Sequence, residues 1–333
     1  MAIQNDILSS TARARSKKAL DNLFETVPLL DHIQKAGGVE IINGGQRITR
    51  SAILAEHSNI TQLATGYEAV SSSVADVLRS PEFEWCDFVA PIVITKKEEL
   101  SNKGERAVIS IADARMKSVL GMLKREWELQ AIRGTSTVLT EMETLNGIDN
   151  TTGWLEEDAF GSQTNTVGGL GKNTYASSNW QNQSFDVASN FSANGLGGMT
   201  ELMIQTQIYA PEGTVDLILA SPTSYRLYKS VLQQNERYMP KETVLDGGRL
   251  ALAFNGALMY VENNLGTGTA ANPSMYFLNS KSMKVVFDYE AHFSMSDFEH
   301  KSGYAAREAQ MFVRTQLVAD HLASLGLLYD AEA

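Results

Sequence analysis

Apolar residues recur along this chain in two rhythms, one of helical and one of strand period. Spacings of four and three link Val108, Ala112, Met116, Val119, Leu123 and Trp127, which places them on one stripe of a 3.6-residue helix. Arg115, Lys117, Lys124, Arg125, Glu126 and Glu128 fall between them, largely on the wetter side. Gly104 marks the start, and Gly134 is a natural stop, with Arg133 placed against the negative helix end. At 1.5 Å per residue such a helix is a rod of roughly 40 Å. Ahead of it, a strand from Phe83 to Thr95 and a charged turn from Lys96 to Gly104 complete a beam with a loop at its head. Taken alone, the helix equally suits the core of an ordinary α/β domain.

The two-residue rhythm marks other segments. Val39 and Ile41 precede Asn43-Gly44-Gly45, and Ile48 and Ile53 alternate with Arg47, Thr49 and Ser51 after it, which is the pattern of a hairpin. That hairpin has too little apolar surface to stand alone and has to lie on something else, such as a neighbouring subunit. Residues 1–30 carry Arg13, Arg15, Lys17 and Lys18 among small polar residues and read as an extended arm. From Asn146 to Gly198, Gly, Asn, Ser and Thr dominate, with Trp154, Trp180 and Phe185 as isolated anchors, so a long loop is expected. Beyond it the pattern predicts a helix over 196–209, a strand over 215–220, and a helix capped by Ser221 and opened by Pro222. Strands over 257–261, 275–278 and 285–289 follow, then a strand-like run over 311–322.

Composition narrows the function. The chain has 333 residues, 43% of them hydrophobic and 20% charged, enough to bury a substantial core. A net charge of −11 argues against a dedicated nucleic-acid binder, whose phosphate contacts need concentrated Lys and Arg. Cys86 is the single cysteine, which excludes an internal disulfide and reads as a buried thiol in a strand. No stretch approaches the roughly 18 apolar residues that cross a bilayer, and no signal-peptide pattern opens the sequence, so a cytoplasmic site of synthesis is expected.

The search for chemistry returns little. Gly266–Ala271 matches a dinucleotide-binding pattern by letter, but Asn272-Pro273 and a further strand follow where a helix is needed, so it reads as a turn. Gly168–Lys172 resembles a phosphate loop, yet Thr166 stands at the first glycine position and Asn173 replaces the required Ser or Thr. His292 and His300, with Asp288, Glu290, Asp297 and Glu299, read as a solvated acidic segment rather than a metal cluster. His32, His57 and His321 are scattered, and no nucleophile-elbow pattern is present. Neither a catalytic site, a cofactor nor a metal is expected.

The order of these segments resembles the major capsid proteins of tailed bacteriophages with the Hong Kong 97-type fold. The resemblance rests on residues 83–87 followed by Ile92–Thr95, then Glu98 to Gly104, then the long helix to Thr135. Further support comes from Leu145–Ile148, Gly168-Gly169, Tyr175, Trp180-Gln181, Val215–Leu232, Ala253–Ala257, Met275–Asn279 and Phe312–Leu317. It implies an α+β fold with an N-terminal arm (1–36), an extended hairpin loop (37–80), a peripheral domain with a long spine helix (81–140), an axial domain (141–305) and a C-terminal return (306–333). The implied function is self-assembly as hexamers and pentamers into an icosahedral head around double-stranded DNA, with localisation in the virion. Implied partners are copies of the chain, a separate scaffolding protein, a portal and a decoration protein, with no membrane. The family's cross-linking lysine–asparagine pair finds no match, so a non-covalent shell is expected. Subunit contacts are then expected at Arg13, Arg15, Lys17, Lys18, Asn43, Gly44, Gly45, Arg47, Arg50, Lys96, Lys97 and Glu98. An encapsulin-type compartment shell and a soluble α/β enzyme with an unrecognised site are the alternatives.

Overall fold

The computed structural model describes residues 28–54, 60, 62–64, 66, 69, 77–101, 111–134, 142–146, 153–175, 180–188, 190–210, 213–234, 243–244, 250–265 and 274–331. Helix α1 (Pro28–Lys35) and strand β1 (Val39–Ile42) come first, then β2 (Arg47–Thr49), β3 (Ala52–Ile53), β4 (Leu78–Arg79) and β5 (Glu82–Glu84). The long strand β6 (Cys86–Thr95) leads into α2 (Lys96–Ser101) and α3 (Ile111–Arg133). A small hairpin of β7 (Thr166–Val167) and β8 (Leu170–Gly171) follows, then a 3-10 turn over Lys172–Tyr175 and β9 (Gln183–Asp186). A single π turn over Phe191–Gly195 runs into α4 (Leu196–Tyr209), β10 (Leu217–Ala220) and α5 (Pro222–Gln234). The last strands are β11 (Thr243–Val244), β12 (Leu250–Phe254), β13 (Ala257–Val261), β14 (Met275–Leu278), β15 (Met283–Asp288), β16 (Ser294–Met295), β17 (Glu299–His300), β18 (Ala306–Ala319) and β19 (Gly326–Tyr329).

The first sheet is organised by β18, whose length lets it pair with several shorter strands. Along one edge it meets β6 antiparallel from Ala306↔Thr95 to Thr315↔Cys86, and along the other it meets β15, β16 and β17 in turn. Strand β1 extends the sheet by pairing parallel with β15. Cys86, Phe88 and Ile92 of β6 point inward while Asp87, Val89 and Pro91 point out, as a period of two requires. On the outer side Arg314 grips Asp87 with two bonds of 2.7 and 3.0 Å directly across the register. Helix α3 packs on β6, burying Leu123 and Trp127, with Met116 and Val119 against the same core. Its 23 described residues span about 35 Å. Gly134 closes it at a φ of +68° with its N–H on the Gln130 carbonyl, as the sequence predicts. Val108 lies outside the described residues, as does the side chain of Ala112.

Three expectations need correction. Glu128 is buried rather than wetter-facing: Oε1 accepts the Leu29 N–H at 3.2 Å, satisfying a free donor of the first turn of α1. Burial, with repulsion from Glu262, pushes this carboxyl well above the ordinary range despite the Leu29 and Leu30 amides. The charged stretch after Thr95 opens as a helix, because Thr95 and Glu98 form a capping box. The Thr95 N–H bonds Glu98 Oε2 at 3.0 Å, and the Glu98 N–H reaches Thr95 Oγ1 at 3.4 Å. Finally, β1 and β2 do not pair, so Asn43-Gly44-Gly45 is not a hairpin turn but the passage from the first sheet to a separate two-stranded ribbon.

The second sheet runs β11-β12-β13-β10-β14-β19-β9. Its central strands are apolar at every position because both faces are covered. Alternate residues serve different cores: Leu217, Leu219, Tyr276, Leu278 and Leu327 join the core that includes α3. Ile218, Ala220, Met275, Phe277 and Leu328 join the one that includes residues of α4 and α5. Helix α5 starts as predicted, with the Ser224 N–H on Ser221 Oγ at 3.2 Å and Pro222 in the first turn. Within the expected long loop from Asn146, residues 153–175 and 180–188 carry β7, β8 and β9 around a buried polar cluster.

Candidate functional site

A two-stranded ribbon leaves the first sheet after Gly45, with β2 and β3 running out and β4 and β5 returning. Its base is anchored. Ile48 and Phe83, paired across the strands, are buried, and Arg47 bridges Glu82 at 2.9 Å and Glu84 at 3.0 Å. Both ion pairs are exposed and contribute modestly, so the apolar pair does most of the holding. Beneath it the β7–β8 turn fits closely. Gly168, at a φ of +55°, accepts the Glu82 N–H at 2.9 Å, and a side chain there would meet Pro81 at 2.8 Å. Half-buried Glu143 takes the Gly168 N–H at 3.3 Å and the Trp154 indole N–H at 3.0 Å. Arg50 turns inward to Glu40 and lies 3.8 Å from Asp320.

Further out the cover is uneven: Leu54 is buried in the main core, but its neighbours are not. Ile53 and Leu78 face each other across the strands yet are 69% and 58% exposed. Ile60 and Leu63 beyond them are 88% and 54% exposed. Covering a Leu or Ile side chain yields about 1.5–3 kcal/mol, and here that gain is not taken within the chain. These four exposed aliphatic side chains are candidates for an interaction surface. The contacts expected in this region are polar residues; Ile53 enters only through the alternation, and Leu78, Ile60 and Leu63 not at all, although isolated Ile and Leu among polar neighbours are a signal in the sequence.

The other expected contacts are scattered. Gly44 and Gly45 adopt φ of +62° and +110°, and the Gly45 carbonyl accepts the Trp85 indole N–H at 3.0 Å. Lys96 bonds Glu99 at 2.8 Å, and Glu98 bonds Arg115 at 2.6 Å. Partial burial raises the Glu98 carboxyl, but the Thr95 and Arg115 bonds outweigh it and hold it below its ordinary value. Lys97 is exposed. Arg13, Arg15, Lys17 and Lys18 lie outside the described residues, as does Gly266–Ala271.

Groups with chemical potential are engaged in structure. The His292 ring packs edge-on against Phe287 and Phe293, while Asp288 is buried near Arg314. Among the described residues no cluster of three His, Cys, Asp or Glu is arranged to hold a metal, and no helix is long and apolar enough to cross a membrane. Lys172, at the end of the rejected phosphate loop, is buried and points inward.

No family model matches the chain, and no curated protein does. Solved structures match over nearly its whole length. A capsid subunit of cyanophage A-1(L) superposes with a TM-score of 0.63 at 16% identity, covering 93% of this chain and 94% of that one. The capsid of an empty GTA particle gives 0.61 at 10% identity, with 95% and 94% covered. An encapsulin, SrpI of Synechococcus elongatus PCC 7942, gives 0.54 at 11% identity, with 96% and 95% covered. The chain has the Hong Kong 97-type α+β fold of these shell-forming proteins.

Proposed function

We propose that the chain is the major capsid protein of a tailed phage, assembling as hexamers and pentamers into an icosahedral head around double-stranded DNA. The observation that carries this reading is the fold-wide likeness to capsid subunits, with almost all of both chains aligned. The ribbon adds a physical motive, since Ile53 and Leu78 are left exposed within the chain and would gain cover on another molecule. Identical subunits that close a ring by such a contact use two different patches, the ribbon and its receiving surface. An acidic subunit suits a container that must not grip its contents along every phosphate. Scaffolding, portal and decoration proteins are the partners this reading brings, and a bacterial cytoplasm is the place of synthesis. The expected contacts at Arg13, Arg15, Lys17, Lys18 and Lys97 belong to this proposal.

The ribbon also supplies the test. The Leu54 N–H bonds the Val77 carbonyl at 3.1 Å, so the two strands can be joined there by an Asn-Gly turn in place of residues 55–76. Expressed with a scaffolding protein, the parent chain should give closed particles by electron microscopy, and the shortened chain should remain a folded subunit. Closed shells from the shortened chain would overturn the role given to the ribbon. An encapsulin-type shell is the second reading, favoured by the match to SrpI. Particles that form without scaffold or portal and enclose a co-expressed enzyme would establish it instead.

A further inference from the structure

Lys172, Asn182, Gln163 and Glu156 form a cluster at the centre of segment 153–183, each 2% exposed or less. Lys172 Nζ donates to Asn182 Oδ1 at 3.0 Å, to Gln163 Oε1 at 3.2 Å and to the Trp154 carbonyl at 2.7 Å. The Glu156 carboxylate stands 3.6 Å away. It is fixed by the Thr164 N–H and hydroxyl on Oε1, at 2.8 and 3.3 Å, and by the Asn165 N–H on Oε2, at 3.1 Å. The Asn182 carboxamide is held on both sides. Its oxygen also accepts the Glu156 N–H at 2.9 Å, and its nitrogen donates to the Glu156 and Gln183 carbonyls at 3.0 and 3.1 Å.

We propose that Lys172 and Asn182 are a self-modification site, forming an intramolecular isopeptide bond with Glu156 as the proton carrier. The nucleophile, a donor for the developing oxyanion and a carboxylate beside the amine are in place. A lysine lifted out of water is a better nucleophile, and burial draws Lys172 down to about 8 against the opposing pull of Glu156. The amide N–H of Glu156 is aimed at the oxygen that becomes negative when Nζ adds to Cγ. Holding amine and carboxamide together in a dry site replaces an encounter with a unimolecular step. The balance is complete without an oxidant or a co-reactant. The Nζ–Cγ bond forms and the Cγ–Nδ2 bond breaks; two protons pass from the ammonium, through Glu156, to Nδ2, and ammonium departs. Asn182 is preferred over Gln163 because its oxygen makes the shorter contact with Nζ. The bond lies inside one subunit and does not itself link subunits.

Mass spectrometry of the purified, denatured full-length chain tests this. The intact mass should fall below the sequence mass by one ammonia. Trypsin should fail to cut after Lys172, giving a continuous 134–226 peptide with the loss mapped between Lys172 and Asn182. Lys172→Arg and Asn182→Ala should restore the full mass. Glu156→Gln should leave the bond absent or slower to form in a chain whose circular dichroism is unchanged. Full sequence mass in the wild-type chain overturns the proposal whatever the variants do. So does an ammonia loss mapped to Gln163, or to an Asn-Gly pair such as Asn43-Gly44 or Asn255-Gly256, where succinimide formation gives the same mass.

Discussion

The second sheet and the ribbon from Arg47 to Glu84 solve the same problem in opposite ways. In the sheet, both faces of β10, β14 and β19 are covered, and successive residues feed two different cores of one chain. In the ribbon, β2 and β5 find cover under the β7–β8 turn, while β3 and β4 hold Ile53 and Leu78 out in water. On the proposed function, a chain that meets its needs in one region and leaves them open in another divides its surface between folding and assembly. The division is testable, because the two regions should answer differently to mutation.

The largest effect is expected where cover is complete. Trp127 is buried on α3, beside a small apolar cavity lined by Leu30, Phe88, Leu123, Phe287 and Val313. Truncating so large a buried side chain leaves a cavity, so Trp127→Ala should cost about 3–5 kcal/mol, read as a lowered urea midpoint of the isolated subunit. A loss below about 1 kcal/mol would mean that α3 completes its packing only in the shell.

The next effect depends on pH. Desolvation holds the His321 imidazole down to about 4, from an ordinary 6.5. The unfolded chain therefore takes up this proton first. Stability from keeping the ring neutral is whole above about pH 6.5 and is lost as pH falls through that value towards 4. At about 1.4 kcal/mol per pH unit the loss by pH 4 is on the order of 3 kcal/mol. His321→Gln should flatten that slope in urea titrations at pH 7, 5.5 and 4. An unchanged slope would place the acid sensitivity elsewhere.

Smaller again is the effect at the junction of α4 with β9. A Cβ on Gly198 would come within 2.4 Å of the Phe185 ring, whereas one on Gly197 would meet nothing within 4 Å. Gly198→Ala should cost about 1–3 kcal/mol by overpacking. Gly197→Ala should be neutral or gain up to about 1 kcal/mol, since alanine is the better helix former. Differential scanning calorimetry of the pair checks the contact, and equal melting temperatures would refute it.

What the sequence revealed follows the range of the forces involved. Helix α4, the Ser221-Pro222 start of α5, the Gly134 stop and strands β13 and β14 carry their signals within a few residues, and all were legible. The Thr95–Glu98 box was equally local and was passed over in favour of the charges around it. By contrast, β1 takes its partner from β15, near the other end of the chain, and no nearby residue announces that. Asn43-Gly44-Gly45 therefore read as a turn between its flanking strands. The polar cluster around Lys172 was hidden for a related reason. Its members are spread through a Gly- and Asn-rich stretch and only folding brings them together.

The smallest effect on stability should be the most informative about function. Ile53→Ser with Leu78→Ser removes an aliphatic pair that already stands in water, so the subunit should keep its urea midpoint within about 0.5 kcal/mol. If the ribbon is covered by a second copy, the same change removes buried apolar area at every contact of a closed shell, at about 1.5–3 kcal/mol per side chain. Because each shell repeats that contact many times, a deficit too small to unfold one subunit is enough to prevent closure. Analytical ultracentrifugation in the presence of a scaffolding protein separates the outcomes. Stable subunits that no longer sediment as particles support the division between folding and assembly. A destabilised subunit would show instead that the ribbon folds back on its own body, and particles of normal size would show that its tip is not a contact.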